Sequence, residues 1–273
     1  RKAEALTYHL QHRSISIHDG ELIVGSHTEH RIGAICHVEL AGVAMLEDIF
    51  KFEKRKTNPL YVDPSARRKL VLNVMPYWIT RNLVMRSFPL LEKMTYLRDQ
   101  INAKQFVINE AGGIAHFLPN YELIIKLGTD GLREKIDKTL HNSDLSRSQE
   151  EQLEANLVAV STLESFADRY RNKALEIGRQ DIVKVLESSP RKPAKSLREA
   201  LQTIWFFQVV IQIESLDQGI SLGRIDQYLY PLYQKEVAEG QFDEQGFKDL
   251  FCTLCIKLSE VIPLFSERVT EMF

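Results

Sequence analysis

The amino-acid sequence predicts a helix-rich α/β fold with few strands. Apolar residues recur at helical spacing from Leu153 to Ala174, which is the strongest periodic signal in the chain. Two capping boxes, Ser148 to Glu151 and Ser196 to Glu199, each open a helical run. Asp19-Gly20, between two short apolar runs, is typical of a β-hairpin turn. Since no long linker divides the chain, we expect one compact body.

The N-terminal half is predicted to be mostly helical. A short helix covers Ala3 to Gln11, and the hairpin turn then separates strands at Ser14 to Ile17 and Glu21 to Val24. The segment Asn109 to Pro119 holds two adjacent glycines and is expected to be irregular. The other predicted helices of this half are Val38 to Arg55, which Asn58-Pro59 ends, a helix opened by Asp63-Pro64, Met75 to Leu83, and Leu90 to Asn102.

The C-terminal half continues the helical pattern. Its longest predicted helix begins at Ser148 and is closed by Gly178. The basic, proline-bearing connection Ser188 to Lys195 is predicted to be a mobile surface loop. The other predicted helices of this half are Leu132 to Leu140, a buried helix from Ser196 to about Gln212, a turn and helix from Gly223 to Gly240 with Pro231 near the start, and a last helix capped by Asp243 and ended by Pro263.

Composition excludes several classes of function. The 273 residues carry a net charge of −2, so there is no overall attraction to nucleic acid or to an anionic membrane. No apolar run approaches the ~18 residues of a transmembrane helix. The chain opens with Arg1-Lys2 and a polar amphipathic segment, which is not the pattern of a signal peptide. We therefore expect a cytoplasmic protein with no membrane partner.

The cysteines and histidines are the candidate metal ligands of this sequence. Cys36, Cys252 and Cys255 are an odd, sparse set that is typical of a reducing compartment. Cys252 and Cys255 form a C-x-x-C within a helix of apolar spacing, which predicts buried cysteines over a metal or redox pair. A second group, His27, His30 and His37 with Glu29 and Glu39, lies in irregular chain after a predicted strand, which favours surface or interface histidines over the converging ligands of a metal site. No metal is expected in this chain.

The most specific motif of the chain is Ser221-Leu222-Gly223-Arg224-Ile225-Asp226-Gln227-Tyr228, followed by Pro231. This stretch resembles the signature of glycyl radical enzymes, the family of pyruvate formate-lyase. The resemblance implies a ten-stranded α/β barrel of two half-barrels wrapped by helices. It also implies that residues 1–273 are the N-terminal part of a single pyruvate formate-lyase-like domain, which supplies outer helices and part of the first half-barrel.

The resemblance assigns residues to a substrate pocket. His116 lies in the glycine-bearing segment, where a structural role or a ligand contact both fit the residues themselves. In the family, this position faces the substrate. Gln218 and Gly219 stand where the diol and glycerol dehydratases carry His and Ser, and Gly219 leaves room for a larger group such as an aromatic ring. Phe106 and Phe117 could line the pocket or pack in the core.

Arg224 and Asp226 are interpreted as a structural ion pair at the turn into the next helix. The reactive groups of the family are a radical-bearing Gly near the C-terminus and a Cys followed two residues later by Glu. No Cys-x-Glu and no Arg-Val-x-Gly-aromatic motif occurs in this sequence. No catalytic residue is therefore assigned, and no cofactor is expected to bind this chain.

The resemblance implies further properties of the full-length protein. A separate radical SAM activating enzyme would install the glycyl radical, and the full-length form would be a homodimer in anaerobic metabolism. The 273-residue chain alone is expected to be inactive, marginally stable and prone to associate, because a partial barrel exposes strand edges and an apolar inner face.

The predicted function is radical cleavage of a C–C or C–O bond in a small organic acid. Within that reading, Gly219 favours decarboxylation of an arylacetate. A hydroxyproline-type dehydratase and a hydrocarbon-succinate synthase are the alternatives within the family. Two hypotheses come from other classes, a non-catalytic helical interaction protein and a metal-binding module that uses the cysteines and histidines.

Overall fold

The computed structural model describes residues 1–35, 38, 48–87, 89–101, 117–142, 144–214, 219–263 and 267. Contacts divide the chain into two compact units. Unit 1 contains residues 1–33, 116–214 and 219–261, and unit 2 contains residues 34–115, 215–218 and 262–273. The described part is dominated by helices, which confirms the predicted helix-rich class.

The helices and strands are labelled in chain order. In the N-terminal half they are α1 (Lys2–His12), β1 (Gly33–Ile35), a 3-10 turn (Phe52–Lys54), α2 (Pro64–Lys69), a π-helical turn (Leu70–Val74), α3 (Met75–Trp78), α4 (Leu83–Ser87) and α5 (Leu90–Ile101). In the C-terminal half they are α6 (Tyr121–Asn142), α7 (Arg147–Glu176), α8 (Gln180–Leu186), α9 (Leu197–Glu214), α10 (Ile225–Tyr228), α11 (Tyr230–Ala238), α12 (Glu244–Ser259) and β2 (Val261–Pro263). Strands β1 and β2 pair with each other.

The core of unit 1 is built around helix α9. Trp205, Phe206 and Val209 of this helix are fully buried. The Phe206 ring lies 6.0 Å from that of Phe166 and 5.8 Å from that of Tyr170, both on α7. Burying such side chains stabilises a fold by about 1.5–3 kcal/mol each. Helix α9 is therefore the buried centre against which other segments of unit 1 pack.

The predicted hairpin is wrong, although its turn is present. Gly20 has φ +77°, and the N–H of Glu21 donates to the carbonyl of His18 at 3.2 Å. The flanking residues form no strands. Instead, side chains of unit 1 satisfy their backbone groups: the Trp205 indole N–H donates to the Gly25 carbonyl at 2.9 Å, and the Ser26 N–H donates to the Tyr170 hydroxyl at 3.1 Å.

The predicted mobile loop, Ser188 to Lys195, is also wrong. Its carbonyls accept hydrogen bonds from helix α6, with the Thr129 N–H at 2.9 Å from the Pro190 oxygen and the Asp130 N–H at 3.0 Å from the Arg191 oxygen. Helix α6 bends at Gly128, which has φ +64°. A Cβ at Gly128 would lie 2.3 Å from the Arg191 carbonyl oxygen, so only glycine permits this approach.

Several other predictions shift by a few residues. The helix start predicted at Ser148 is at Ser146, whose N–H donates to the Gln149 side chain at 2.9 Å. The predicted N-cap at Ser196 is confirmed, because the Glu199 N–H donates to its hydroxyl at 3.2 Å. Helix α12 ends at Ser259, and Pro263 lies in β2 instead of ending the helix. The predicted 75–83 helix is split into α3 and α4 by a turn at residues 79–82.

The cysteine prediction is wrong for the described pair. Cys252 and Cys255 are free and exposed on α12. The buried positions of this helix are Leu250, Leu254 and Lys257. The apolar residues around the C-x-x-C follow helical spacing, but the cysteines themselves lie on the opposite side of the helix. Cys36 is outside the described residues.

The described part of unit 2 includes a buried ion pair. Asp48 and Arg55 pair at 2.6 Å, and the Arg55 guanidinium lies 4.1 Å from the Phe52 ring centre. Residues 48–55 form a turn and a 3-10 turn, so the described end of the predicted 38–55 helix is not α-helical. Asp63 caps α2 as predicted, by accepting from the Ser65 and Ala66 N–H groups.

Candidate functional site

The candidate site consists of two segments of unit 1, residues 117–121 and 219–228, which begin at the predicted pocket residues Phe117 and Gly219. The Ser221 N–H donates to the Phe117 carbonyl at 3.1 Å. Gly223 has φ +64°, and a Cβ there would lie 2.6 Å from Cδ1 of Leu118. The two segments therefore lie side by side, and glycine at position 223 permits both the turn and the close approach.

Two of the five predicted pocket residues are in the described part of the structure. Phe117 and Gly219 are both half-buried, one at the start of each segment. The hydrogen bond between Ser221 and Phe117 brings the chain next to Gly219 close to Phe117. His116, Phe106 and Gln218 lie outside the described residues. Contact of these residues with a substrate stays a prediction.

A buried glutamine joins the two segments, and sequence reasoning missed it. The Tyr121 hydroxyl donates to Oε1 of Gln208, and Nε2 of Gln208 donates to the Ile220 carbonyl at 3.2 Å. Gln208 and Tyr121 are each 1% exposed. The signal was present in the sequence, because Gln208 interrupts the longest apolar run, and a polar side chain in a core needs hydrogen-bond partners.

A second tyrosine supports the 219–228 segment from within. The Tyr228 hydroxyl donates to the Leu222 carbonyl at 2.8 Å, and its ring centre lies 6.4 Å from that of Tyr121. Burial raises the pKa of both tyrosines above the ordinary value, and the neighbouring Tyr228 raises the pKa of Tyr121 further. Both hydroxyls are therefore neutral donors at physiological pH.

Arg224 and Asp226 form an exposed clamp at the start of α10. The Arg224 Nε and Nη2 atoms donate to the two Asp226 carboxylate oxygens at 3.0 and 2.8 Å. The hydrogen bond from Arg224 holds the pKa of the Asp226 carboxyl below its usual range. The two side chains meet each other's hydrogen-bonding needs, as expected of the structural ion pair that the sequence predicted.

The histidines give no metal centre in the described residues. His27 is buried against Trp205, with ring centres 5.8 Å apart, while His30 is exposed and His37 is outside the described part. No group of three or more His, Cys, Asp or Glu side chains that could hold a metal occurs among the residues described.

The same part of the chain also contains no helix with the length and apolar character that crossing a membrane requires.

Comparison with known proteins finds one matching family and several relatives of the chain. The family model described as "Pyruvate formate lyase-like" matches residues 1–273. The chain is 29% identical to the protein named "Probable dehydratase YbiW" of Escherichia coli K12, over 96% of this chain and 34% of that protein. It is 24% identical to an isethionate sulfite-lyase of Nitratidesulfovibrio vulgaris, over 97% of this chain and 35% of that protein.

Solved structures give the same result. A structure reported for 1,2-propanediol dehydration in Roseburia inulinivorans superposes with a TM-score of 0.88 at 27% identity, over 99% of this chain and 36% of that chain.

Among the sequence relatives, an indoleacetate decarboxylase of Tractidigestivibacter scatoligenes is more distant, with 22% identity over 95% of this chain and 34% of that protein. The chain spans about a third of the length of the curated relatives it matches.

Proposed function

The chain belongs to the pyruvate formate lyase-like family, and on that premise we propose that it forms a wall of the substrate pocket in a glycyl radical lyase. The reaction is radical cleavage of a C–C or C–O bond in a small organic acid. One observation carries the proposal: the Ser221 N–H bonds to the Phe117 carbonyl, so the two segments that the motif assigns to the pocket are adjacent.

The residues of this chain would bind and orient the substrate. His116 would donate a hydrogen bond to a substrate carboxylate or hydroxyl. Phe117, with Phe106, would supply apolar surface, while Gln218 and Gly219 would line the opposite segment. None of the three cysteines is followed two residues later by Glu, so no residue of this chain is proposed as catalytic.

The family's glycyl radical, installed by a separate radical SAM enzyme, would supply hydrogen-atom abstraction from the substrate. No stretch of this chain matches the motif that carries it. The proposal therefore places the radical and the reactive Cys on sequence that aligns with the other two thirds of the relatives. A homodimer in an anaerobic cytoplasm is part of the same proposal.

The substrate we favour is an arylacetate, which would lose its carboxyl group as CO₂. Gly219 supports this choice, because a half-buried glycine leaves space that a side chain would fill. By the family resemblance, His116 differs from the Asp or Gln of the choline and isethionate members, and Gln218-Gly219 differs from the His and Ser of the glycerol and propanediol members. The similarity to an indoleacetate decarboxylase is compatible with this choice.

A dehydratase is the second candidate, and sequence similarity favours it. Identity to the named dehydratase is 29%, compared with 22% for the decarboxylase. A dehydratase of the hydroxyproline type would lose water from a hydroxylated substrate and would release no CO₂. The two candidates therefore differ in a product that can be measured directly.

The test begins with the coding sequence on the 3′ side of the Phe273 codon. We expect a Cys-x-Glu motif and a C-terminal glycyl loop within the several hundred residues that follow. The full-length protein, activated without oxygen, should show a glycyl radical signal in electron paramagnetic resonance and should release CO₂ from arylacetates. Absence of both motifs would instead favour a non-catalytic helical interaction protein, which should bind a macromolecular partner stoichiometrically.

A further inference from the structure

We propose that Gln208 is a positioning residue, which fixes the two walls of the substrate pocket relative to helix α9. This inference rests on the proposed function, because the walls are those of the proposed pocket. Gln208 would not touch the substrate. It would act through Tyr121, the first residue of α6, and through Ile220, the neighbour of Gly219.

The geometry of the carboxamide makes this possible. Its oxygen accepts a hydrogen bond from the Tyr121 hydroxyl, and its nitrogen donates to the Ile220 carbonyl at 3.2 Å. The acceptor and the donor of a glutamine amide belong to one planar group, so the two partners are held in a fixed relation. Tyr121 follows the 117–120 stretch and Ile220 precedes Ser221, and the main chains of these two stretches also bond to each other.

Gln208 lies in the core of unit 1. It projects from the most buried helix of unit 1, between Trp205 and Val209 in sequence, and it is itself 1% exposed. A polar group at such a position destabilises the fold unless its hydrogen bonds are made. Leucine would fill a similar volume without that requirement. The hydrogen bonds to Tyr121 and Ile220 therefore explain why this position carries glutamine.

Gln202, on the same helix, provides a matched control. It is also 1% exposed, and its carboxamide also forms one bond as acceptor and one as donor, both to the backbone of Val24. Val24 lies in a segment with no predicted pocket residue. The two glutamines therefore share residue type, helix, burial and hydrogen bonding, and differ in the segment that they hold.

The experiment is hydrogen–deuterium exchange of the full-length protein, read separately at residues 219–223 and 22–27. We expect Gln208→Leu to speed exchange of the Ser221 amide by roughly 5- to 150-fold, the equivalent of one lost buried hydrogen bond, with little change at residues 22–27. Gln202→Leu should give the reverse pattern. If Gln208→Leu loosens both segments equally, or neither, Gln208 has no specific positioning role.

A conservative variant adds a rescue. Gln208→Glu, when protonated, keeps an acceptor for Tyr121 and a donor for Ile220, and burial raises the pKa of such a carboxyl. Protection of residues 219–223 should then match the native chain at the same acidic pH and fall as the pH rises. A filler of similar volume would show no such pH dependence, so a flat profile would contradict the proposal.

Two further measurements test the proposal in other ways. If Gln208→Leu does not fold, Tyr121→Phe removes only the hydroxyl partner and should still speed exchange at residues 219–223 more than at 22–27. Exchange is measured without substrate, so its result is independent of whether the full-length protein is a lyase. In an active full-length enzyme, Gln208→Leu should raise KM by a larger factor than it lowers kcat, because it displaces the binding walls.

Discussion

Gln202 forms two hydrogen bonds with one residue, Val24. The Val24 N–H donates to Oε1 at 2.8 Å, and Nε2 donates to the Val24 carbonyl at 2.7 Å. Gln202 thus forms with Val24 the two backbone hydrogen bonds that a neighbouring β-strand would form. The backbone around Val24 is buried although it belongs to no sheet.

Gln202→Leu should therefore destabilise the chain strongly. It leaves two buried backbone groups without partners, and the expected loss is about 2–4 kcal/mol in the free energy of unfolding. Urea denaturation followed by circular dichroism measures this loss. Gln152→Leu on the exposed side of α7 is the control and should stay within about 0.5 kcal/mol. Equal effects of the two changes would contradict the assigned role of Gln202.

Gly128 and Gly178 form a second matched pair. Both have positive φ, but a Cβ at Gly128 would meet the Arg191 carbonyl at 2.3 Å, whereas a Cβ at Gly178 would meet nothing within 4 Å. Gly178→Ala should cost about 1 kcal/mol from backbone strain alone. Gly128→Ala should cost at least about 2 kcal/mol more, because the chain at Arg191 must also move. Thermal unfolding of the two variants in parallel tests the difference.

His27 should make stability depend on pH. Burial, with smaller contributions from Arg13 and Lys257, lowers the pKa of His27 from 6.5 to about 3, while the neighbouring Gln212 side chain acts in the opposite direction. The unfolded chain binds the proton more readily between these values. The stabilisation is therefore fully present above pH 6.5 and is lost as the pH falls toward 3, at up to about 1.4 kcal/mol per pH unit.

The check is a series of urea denaturations between pH 7 and pH 4, on the native chain and on His27→Gln. Carboxylates also lose stabilising charge in this range, so only the difference between the two proteins reports on His27. The variant should show the shallower decline. Parallel declines would mean that His27 takes up its proton without cost in the folded state.

The sequence predicted the helices well because their signals are local. The Ser196 cap, Gly178 and the run from Leu153 to Ala174 each lie within one helix or at its end. The hairpin failed because the partners of Val24 and Gly25 are side chains of α9, more than a hundred residues away along the chain. The loop at Pro190 failed for the same reason, since composition does not reveal that α6 donates hydrogen bonds to it.

The candidate site was predictable in part. The motif at Ser221 to Tyr228 and the stretch after His116 indicated the two segments of the candidate site. The two segments meet through the bond from Ser221 to Phe117, and Gln208 bonds both to Tyr121 and to Ile220, so residues 117–121 are joined to a distant part of the sequence. A glutamine inside an apolar helix marks a buried hydrogen-bonding need, but the sequence does not show which backbone group meets it.

The exposure of Cys252 and Cys255 predicts their reactivity. Both thiols should react with a small thiol reagent in the native chain, without denaturant. Mass spectrometry of the modified peptides gives the extent at each position, and Cys252→Ser and Cys255→Ser should each remove one modification. If both thiols react only after unfolding, that result would contradict their exposure and support the buried cysteines that the sequence predicted.

The last prediction concerns the apolar surface of helix α5 in unit 2. Leu90, Leu91 and Met94 are 75%, 83% and 63% exposed, and three large apolar side chains this close together form a patch that favours association. We expect the 273-residue chain to self-associate as its concentration rises, measured by sedimentation velocity. The double variant Leu91→Gln and Met94→Gln should shift association to roughly tenfold higher concentration, the equivalent of about 1.4 kcal/mol. Leu175→Gln, which replaces one exposed apolar side chain near the end of α7, is the control and should change nothing. A chain that stays monomeric throughout, or a double variant that associates like the native chain, would show that this surface drives no association.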